Sequence, residues 1–216
     1  MNLPLVVLVV TLAATPGLAQ QVAVTNLPGI RDAEVRAVSP ANGFPRIEVR
    51  DAEHRMRKVV RFPAWRNHAD YASRPALTKF RVLAGPEADS EIILGVSGSG
   101  RADYCNVSVA LIGVRAGKIK LLTPAPFRGD YPEGRYYWGE LGDGLGPGLA
   151  HWQHARSERF DDRIRLTIYR YDSDRNALVK TKVMTTRHVI PYDEPNPLRE
   201  FGLQYKDAVG DLLPSC

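Results

Sequence analysis

The chain has 216 residues, 44% of them hydrophobic and 25% charged, with 29 Lys and Arg against 24 Asp and Glu for a net charge of +5. That length suits one domain, or two small ones, and is enough for a real core. The basic excess is small and spread along the chain, which argues against a nucleic-acid partner.

Met1 to Ala19 carries no charged side chain and contains the apolar run Leu5 to Val10, closed by Gly17-Leu18-Ala19. This reads as a secretory signal peptide cleaved after Ala19. Its apolar core is too short to span a bilayer, and no later segment approaches that length, so stable membrane insertion is not expected. No cysteine stands at the cleavage point, which argues against a bacterial lipid anchor. The expected product is exported, periplasmic or extracellular, with a single β-rich domain over 20–216.

Ile47-Glu48-Val49-Arg50 alternates apolar and charged residues, and Arg57 to Phe62 can pair with it through the polar turn Asp51 to His54. Arg55, Arg57, Lys58 and Arg61 make the densest basic stretch. A solvated strand face is the plainer reading, and a polyanion site is the alternative. Pro63 to Pro75 reads as a loop. Leu77 to Leu83 is strand-like. Glu91 to Val96 is nearly continuous in apolar residues and suits a buried strand, ended by Gly98-Ser99-Gly100.

The clearest hairpin follows. Val107, Val109, Leu111 and Gly113 fall on one face of a strand and Ser108, Ala110, Ile112 and Val114 on the other. Ala116-Gly117 supplies a tight turn into Lys118 to Leu122. Pro124 to Gly134 reads as a loop, and a Gly-rich stretch runs from Gly139 to Gly148. Strands are expected at Leu149 to His154, Arg163 to Tyr171 and Ala177 to Thr185, the last two joined by a turn over Asp172 to Asn176. Pro191 to Pro197 must be irregular, and the tail to Cys216 favours no element.

Glu91–Leu122 and Gly148–Val183 share the order strand, loop, strand, turn, strand. The same 57 residues separate Ile92 from Leu149 and Val109 from Leu166. Such a repeat predicts antiparallel meander sheets with propeller-like blades, a β-sandwich being the alternative. The segment Gly139-Glu140-Leu141-Gly142-Asp143-Gly144, followed by Leu149-Ala150-His151-Trp152, resembles an FG-GAP/VCBS repeat, and Arg165 to Asp172 is similar to that repeat's second strand. The resemblance implies a β-propeller fold. In that family the loop often binds calcium through several aspartates. Here Asp143 and Glu140 are the residues that match, so calcium is the metal the resemblance admits; no other cofactor is expected.

Other constellations point to structure before chemistry. His151 and His154 lie an odd number of positions apart, so on a strand they diverge. Gly95 to Gly100 lacks both the serine spacing and the following helix of a nucleophile elbow. Asp172 to Asn176 opens like a calcium loop, but Ala177 and Val183 stand where an EF-hand needs Gly and Glu, which favours an Asx-rich hairpin turn. Asp161-Asp162 adds carboxylates without a set separation. Cys105 and Cys216 are expected to pair in an oxidising compartment, and Asn106-Val107-Ser108 is a glycosylation sequon. Tyr136, Tyr137 and Trp138, with Arg135 at the edge, offer a surface for a protein or glycan partner. The sequence therefore predicts a non-catalytic binding module. The alternative is a secreted hydrolase using carboxylates near Gly139 to Gly148.

Overall fold

Fourteen strands and one short 3-10 turn (Arg199–Phe201) make up the computed structural model, which describes residues 8–10, 18–40, 44–62, 77–101, 104–123, 125–131, 134–141, 146–154, 163–191 and 199–202. The chain is mostly β, and its sheets are antiparallel meanders. In the first sheet β1 (Leu8–Val10), β2 (Leu18–Leu27), β3 (Ile30–Pro40), β4 (Arg46–Arg50) and β5 (Met56–Arg61) lie in sequence order. In the second, β6 (Leu77–Ala84), β7 (Ser90–Arg101) and β8 (Tyr104–Arg115) are consecutive neighbours. Two short strands share the far edge of β8: β9 (Lys118–Leu121) pairs with its second half and β10 (Phe127–Tyr131) with its first. The third sheet is β11 (Gly134–Glu140), β12 (Pro147–His154), β13 (Ile164–Asp172) and β14 (Ala177–Thr185).

The three sheets stack face to face. Ala33, Val35, Ala37, Ile47 and Val49 of the first sheet meet Phe80, Ile93, Ala110, Ile112 and Val114 of the second. The opposite face of the second sheet sends Ile92, Leu94, Val96, Val109 and Leu111 against Tyr136, Leu149, Tyr171 and Leu178 of the third. The middle sheet is thus covered on both faces, which explains why Glu91–Val96 and Val107–Val114 are apolar at odd and even positions alike. Each fully buried Ile or Leu here contributes roughly 1.5–3 kcal/mol. The far face of the third sheet buries Trp152, Ile164, Leu166 and Ile168, with Ile190 and Phe201 packed onto it.

The hairpin after Val107 forms as its sequence predicts. Ala116 and Gly117 take φ of 47° and 75°, the left-handed pair that a two-residue turn between twisted strands requires. The Asp172–Asn176 segment is also a hairpin turn. The Arg175 N–H donates to Asp172 Oδ1 at 3.0 Å, and the Tyr171 hydroxyl donates to Asn176 Oδ1 at 2.8 Å.

Three expectations need correction. β7 does not end at Gly98: it runs on to Arg101, because Gly100 and Arg101 still pair with Cys105 and Tyr104. The expected loop after Pro124 contains β10, which the free edge of β8 recruits. The repeat offset is one residue too long in its first strand. Ile92 pairs with Gly113, and the counterpart of Gly113 at the Val109–Leu166 spacing is Arg170, which pairs with Gly148 rather than Leu149. Ile92 and Leu149 therefore face each other across one interface instead of occupying equivalent places. Both segments are nonetheless three-stranded antiparallel meanders in the same order, β7-β8-β9 and β12-β13-β14.

The β2–β3 hairpin went unread in the sequence. Its Gln21 works across sheets: the Phe80 N–H donates to Gln21 Oε1 at 2.9 Å, and Gln21 Nε2 donates to the Phe80 carbonyl at 3.2 Å. Ser39 Oγ likewise accepts from the Thr78 N–H at 2.7 Å. These side chains satisfy the outer edge of β6, which no strand covers among the described residues. Gln21→Ala is expected to cost about 2 kcal/mol by leaving two backbone groups unpaired. An unchanged denaturation midpoint would show that solvent serves that edge equally well. Cleavage after Ala19 would keep Gln21 and the β2–β3 pairing from Gln20 and Val38 onward.

Candidate functional site

The aromatic surface expected on β11 does not assemble, because a strand sends successive side chains to opposite faces. Tyr136 is 1% exposed in the core between the second and third sheets, stacked on His151 with ring centroids 4.6 Å apart. Trp138 packs on that same core, whereas Tyr137 packs on the outer core of the third sheet. The Tyr137 hydroxyl donates to the Glu140 carbonyl at 3.1 Å. The Arg135 side chain, Asp143, Asp161, Asp162 and Cys216 lie outside the described residues, and so does the Cys105–Cys216 pairing. Glu140 is exposed at the end of β11. Among the described residues, no three or more His, Cys, Asp or Glu side chains gather as metal ligands.

Ser97 is buried in mid-strand, paired with Ser108 and within 3.4 Å of Thr78 Oγ1, which donates to it. Its hydroxyl is used within the second sheet. His151 also has a structural setting. Burial holds its imidazole down from the usual value to about 4, so it is neutral at physiological pH.

The outward face of the first sheet carries the most organised polar array. Alternation along β3 and β4 buries Val35, Ala37, Ile47 and Val49 and turns Glu34, Arg36, Arg46, Glu48 and Arg50 the other way. Cross-strand register then sets Glu34 beside Arg50 and Arg36 beside Glu48, a checkerboard of opposite charges. Arg36 grips Glu34 through both Nε and Nη2. Glu48 accepts from Arg46 Nε at 2.6 Å and from Arg50 Nη2 at 3.1 Å. The hydrogen bond from Arg36 keeps the Glu34 carboxyl below its usual range. Burial pushes the Glu48 carboxyl up, and the Arg46 and Arg50 guanidiniums outweigh it and hold it down. Three guanidiniums are thereby fixed on a regular surface.

Apolar side chains share that face. Val24 and Met56 occupy the row of Glu34 and Arg50 and are 51% and 45% exposed. Arg61, also exposed, sits across from Arg46. The basic stretch read as a polyanion candidate is partly neutralised. Arg55 pairs with Asp51 at 2.9 Å and with Glu53 at 2.8 Å, and Arg57 lies 3.7 Å from Asp51. Sequence reading missed the β3 half of this face. The alternation from Ala33 to Val38 was its signal.

The class that the fold defines is an all-β protein of stacked antiparallel meanders, and among the described residues no helix is long and apolar enough to cross a membrane. Comparison with protein-family models, curated proteins and solved structures finds no match for this chain.

Proposed function

We propose that the protein is an exported, periplasmic or extracellular binding module, without catalytic activity of its own, that engages an anionic protein or glycan on the outward face of its first sheet. The observation that carries the reading is the set of guanidiniums Arg36, Arg46 and Arg50, held by Glu34 and Glu48 beside exposed Val24 and Met56. Ordered arginines lose little entropy on meeting a carboxylate or sulfate, and a guanidinium has more N–H donors than one carboxylate uses. Arginine is also among the residues enriched in binding hot spots. The serial antiparallel meander sheets support the resemblance to FG-GAP/VCBS repeats, which is part of this proposal.

The test is retention on a sulfated-polysaccharide column and on immobilised poly-glutamate. The triple variant Arg36→Gln/Arg46→Gln/Arg50→Gln should elute at clearly lower salt than wild type from at least one of them, since each lost contact reduces the salt dependence. Identical elution of the folded variant from both would sink the proposal.

A further inference from the structure

At one end of the first two sheets, three turns border an open cleft of about 380 Å³. Pro28 and Gly29 come from the β2–β3 turn, Ala88 and Asp89 from the β6–β7 turn, and Ala116 from the β8–β9 turn; Glu91 forms the wall. The turns are tied to one another and to themselves. The Gly117 N–H donates to the Pro28 carbonyl at 2.7 Å. The Glu87 N–H donates to Ser90 Oγ at 2.9 Å, and Ser90 Oγ donates to the Glu87 carbonyl at 2.8 Å. The cleft is therefore built, with its shape set before any ligand arrives.

Glu91 is a poor fit to this place unless something joins it. Its Oε2 is buried with no hydrogen-bond partner among the described residues. Burial also raises its carboxyl above the usual range, the mark of a carboxylate short of compensating charge. Asp89, the other carboxylate lining the cleft, is engaged by Arg115 at 3.1 Å. Pro28, Ala88 and Ala116 supply short apolar walls. A methylene stem suits those walls, and a positive head suits the half-buried carboxylate between them.

We infer that this cleft binds a primary alkylammonium group, with its aliphatic stem between the three turns and its ammonium on the Glu91 carboxylate. The site is separate from the arginine face and does not depend on it. Two sources carry that chemistry, a free diamine and a lysine side chain of a polypeptide.

Amide shifts of the full-length protein in a ¹⁵N correlation spectrum would be followed during titration with n-butylammonium chloride, putrescine and Nα-acetyl-lysine amide, with sodium butyrate as the control. Saturable shifts confined to Gly29, Ala88–Glu91 and Ala116 are expected from the amines and not from butyrate. The isosteric Glu91→Gln variant should bind about tenfold more weakly or worse, as loss of a charge-assisted contact requires. Tighter binding of acetyl-lysine amide than of putrescine assigns a polypeptide lysine, and the reverse assigns a free diamine; both support the site. Ala88→Trp, at an exposed turn position, should abolish binding by filling the cleft, and it provides the test if Glu91→Gln fails to fold. No saturable shift with any amine, equal shifts with butyrate, or undiminished binding in a folded variant would overturn the inference.

Discussion

Gly29→Ala is expected to destabilise the protein by about 3 kcal/mol, the sum of a left-handed backbone penalty and an overpacking term. Gly29 has a φ of 77°, and a Cβ built there would meet the Gly117 nitrogen at 2.3 Å and the Ala116 carbonyl carbon at 2.7 Å. Those atoms are backbone, fixed by the Gly117 hydrogen bond to the Pro28 carbonyl, so no side chain can swing aside. Two sheets would have to part at their turns. Gly117→Ala makes the comparison. It shares the left-handed φ, at 75°, but its Cβ would come no closer than 3.2 Å, to the Gly29 oxygen. That variant should cost about 1–2 kcal/mol, chiefly the backbone penalty. Urea denaturation of both decides the matter. A Gly29→Ala loss no larger than that of Gly117→Ala would mean that the docked turns yield freely.

Acid should weaken the fold over a window that one histidine defines. The imidazole of His151 titrates near 6.5 when unfolded and is held down to about 4 in the native core by burial. Between those values the unfolded chain binds a proton that the native chain refuses. Stability is therefore fully present above about pH 6.5, falls with pH through the window, and levels off below about pH 4, for a total loss of about 3 kcal/mol. Carboxylates act in a lower range. Glu34, Glu48 and Asp51 are all held below their usual values in the native state, so their contribution is lost as pH falls through the acidic end of the scale. Glu91 has the opposite sign, since its carboxyl is raised and its protonation favours the native state. The discriminating variant is His151→Phe, which keeps a ring against Tyr136 and removes the titration. Its midpoint should stay nearly flat from pH 6.5 to 4.5 while that of the wild type declines. Parallel curves would place the acid sensitivity elsewhere.

Where local rules suffice, the sequence was legible. Asx and left-handed turn residues bracket β8–β9 and β13–β14, so those hairpins follow from turn chemistry alone. Double-sided apolarity in β7 and β8 reports burial on both faces. Other features were set by neighbours distant in the chain. The Gly-Ser end of β7 has little propensity of its own and extends because Cys105 and Tyr104 complete its ladder. β10 lies in a Pro- and Gly-rich stretch and becomes a strand because β8 has an open edge.

The candidate sites divide along the same line. Periodicity placed the alternating face of β4, yet pairing with β3 was needed to turn scattered Arg and Glu into the Glu34–Arg50 and Arg36–Glu48 checkerboard. Tyr136, Tyr137 and Trp138 look like one patch in the sequence, and the stack of sheets divides them between two cores. The cleft at Glu91 is made by three turns that stand far apart along the chain. By itself the sequence determined the β class, the β8–β9 and β13–β14 hairpins and which residues alternate, because pleat and turn geometry act over a few residues. Only the tertiary structure decided which face meets which sheet, because a shift of one residue reverses every side chain and only the neighbouring sheet penalises the wrong choice.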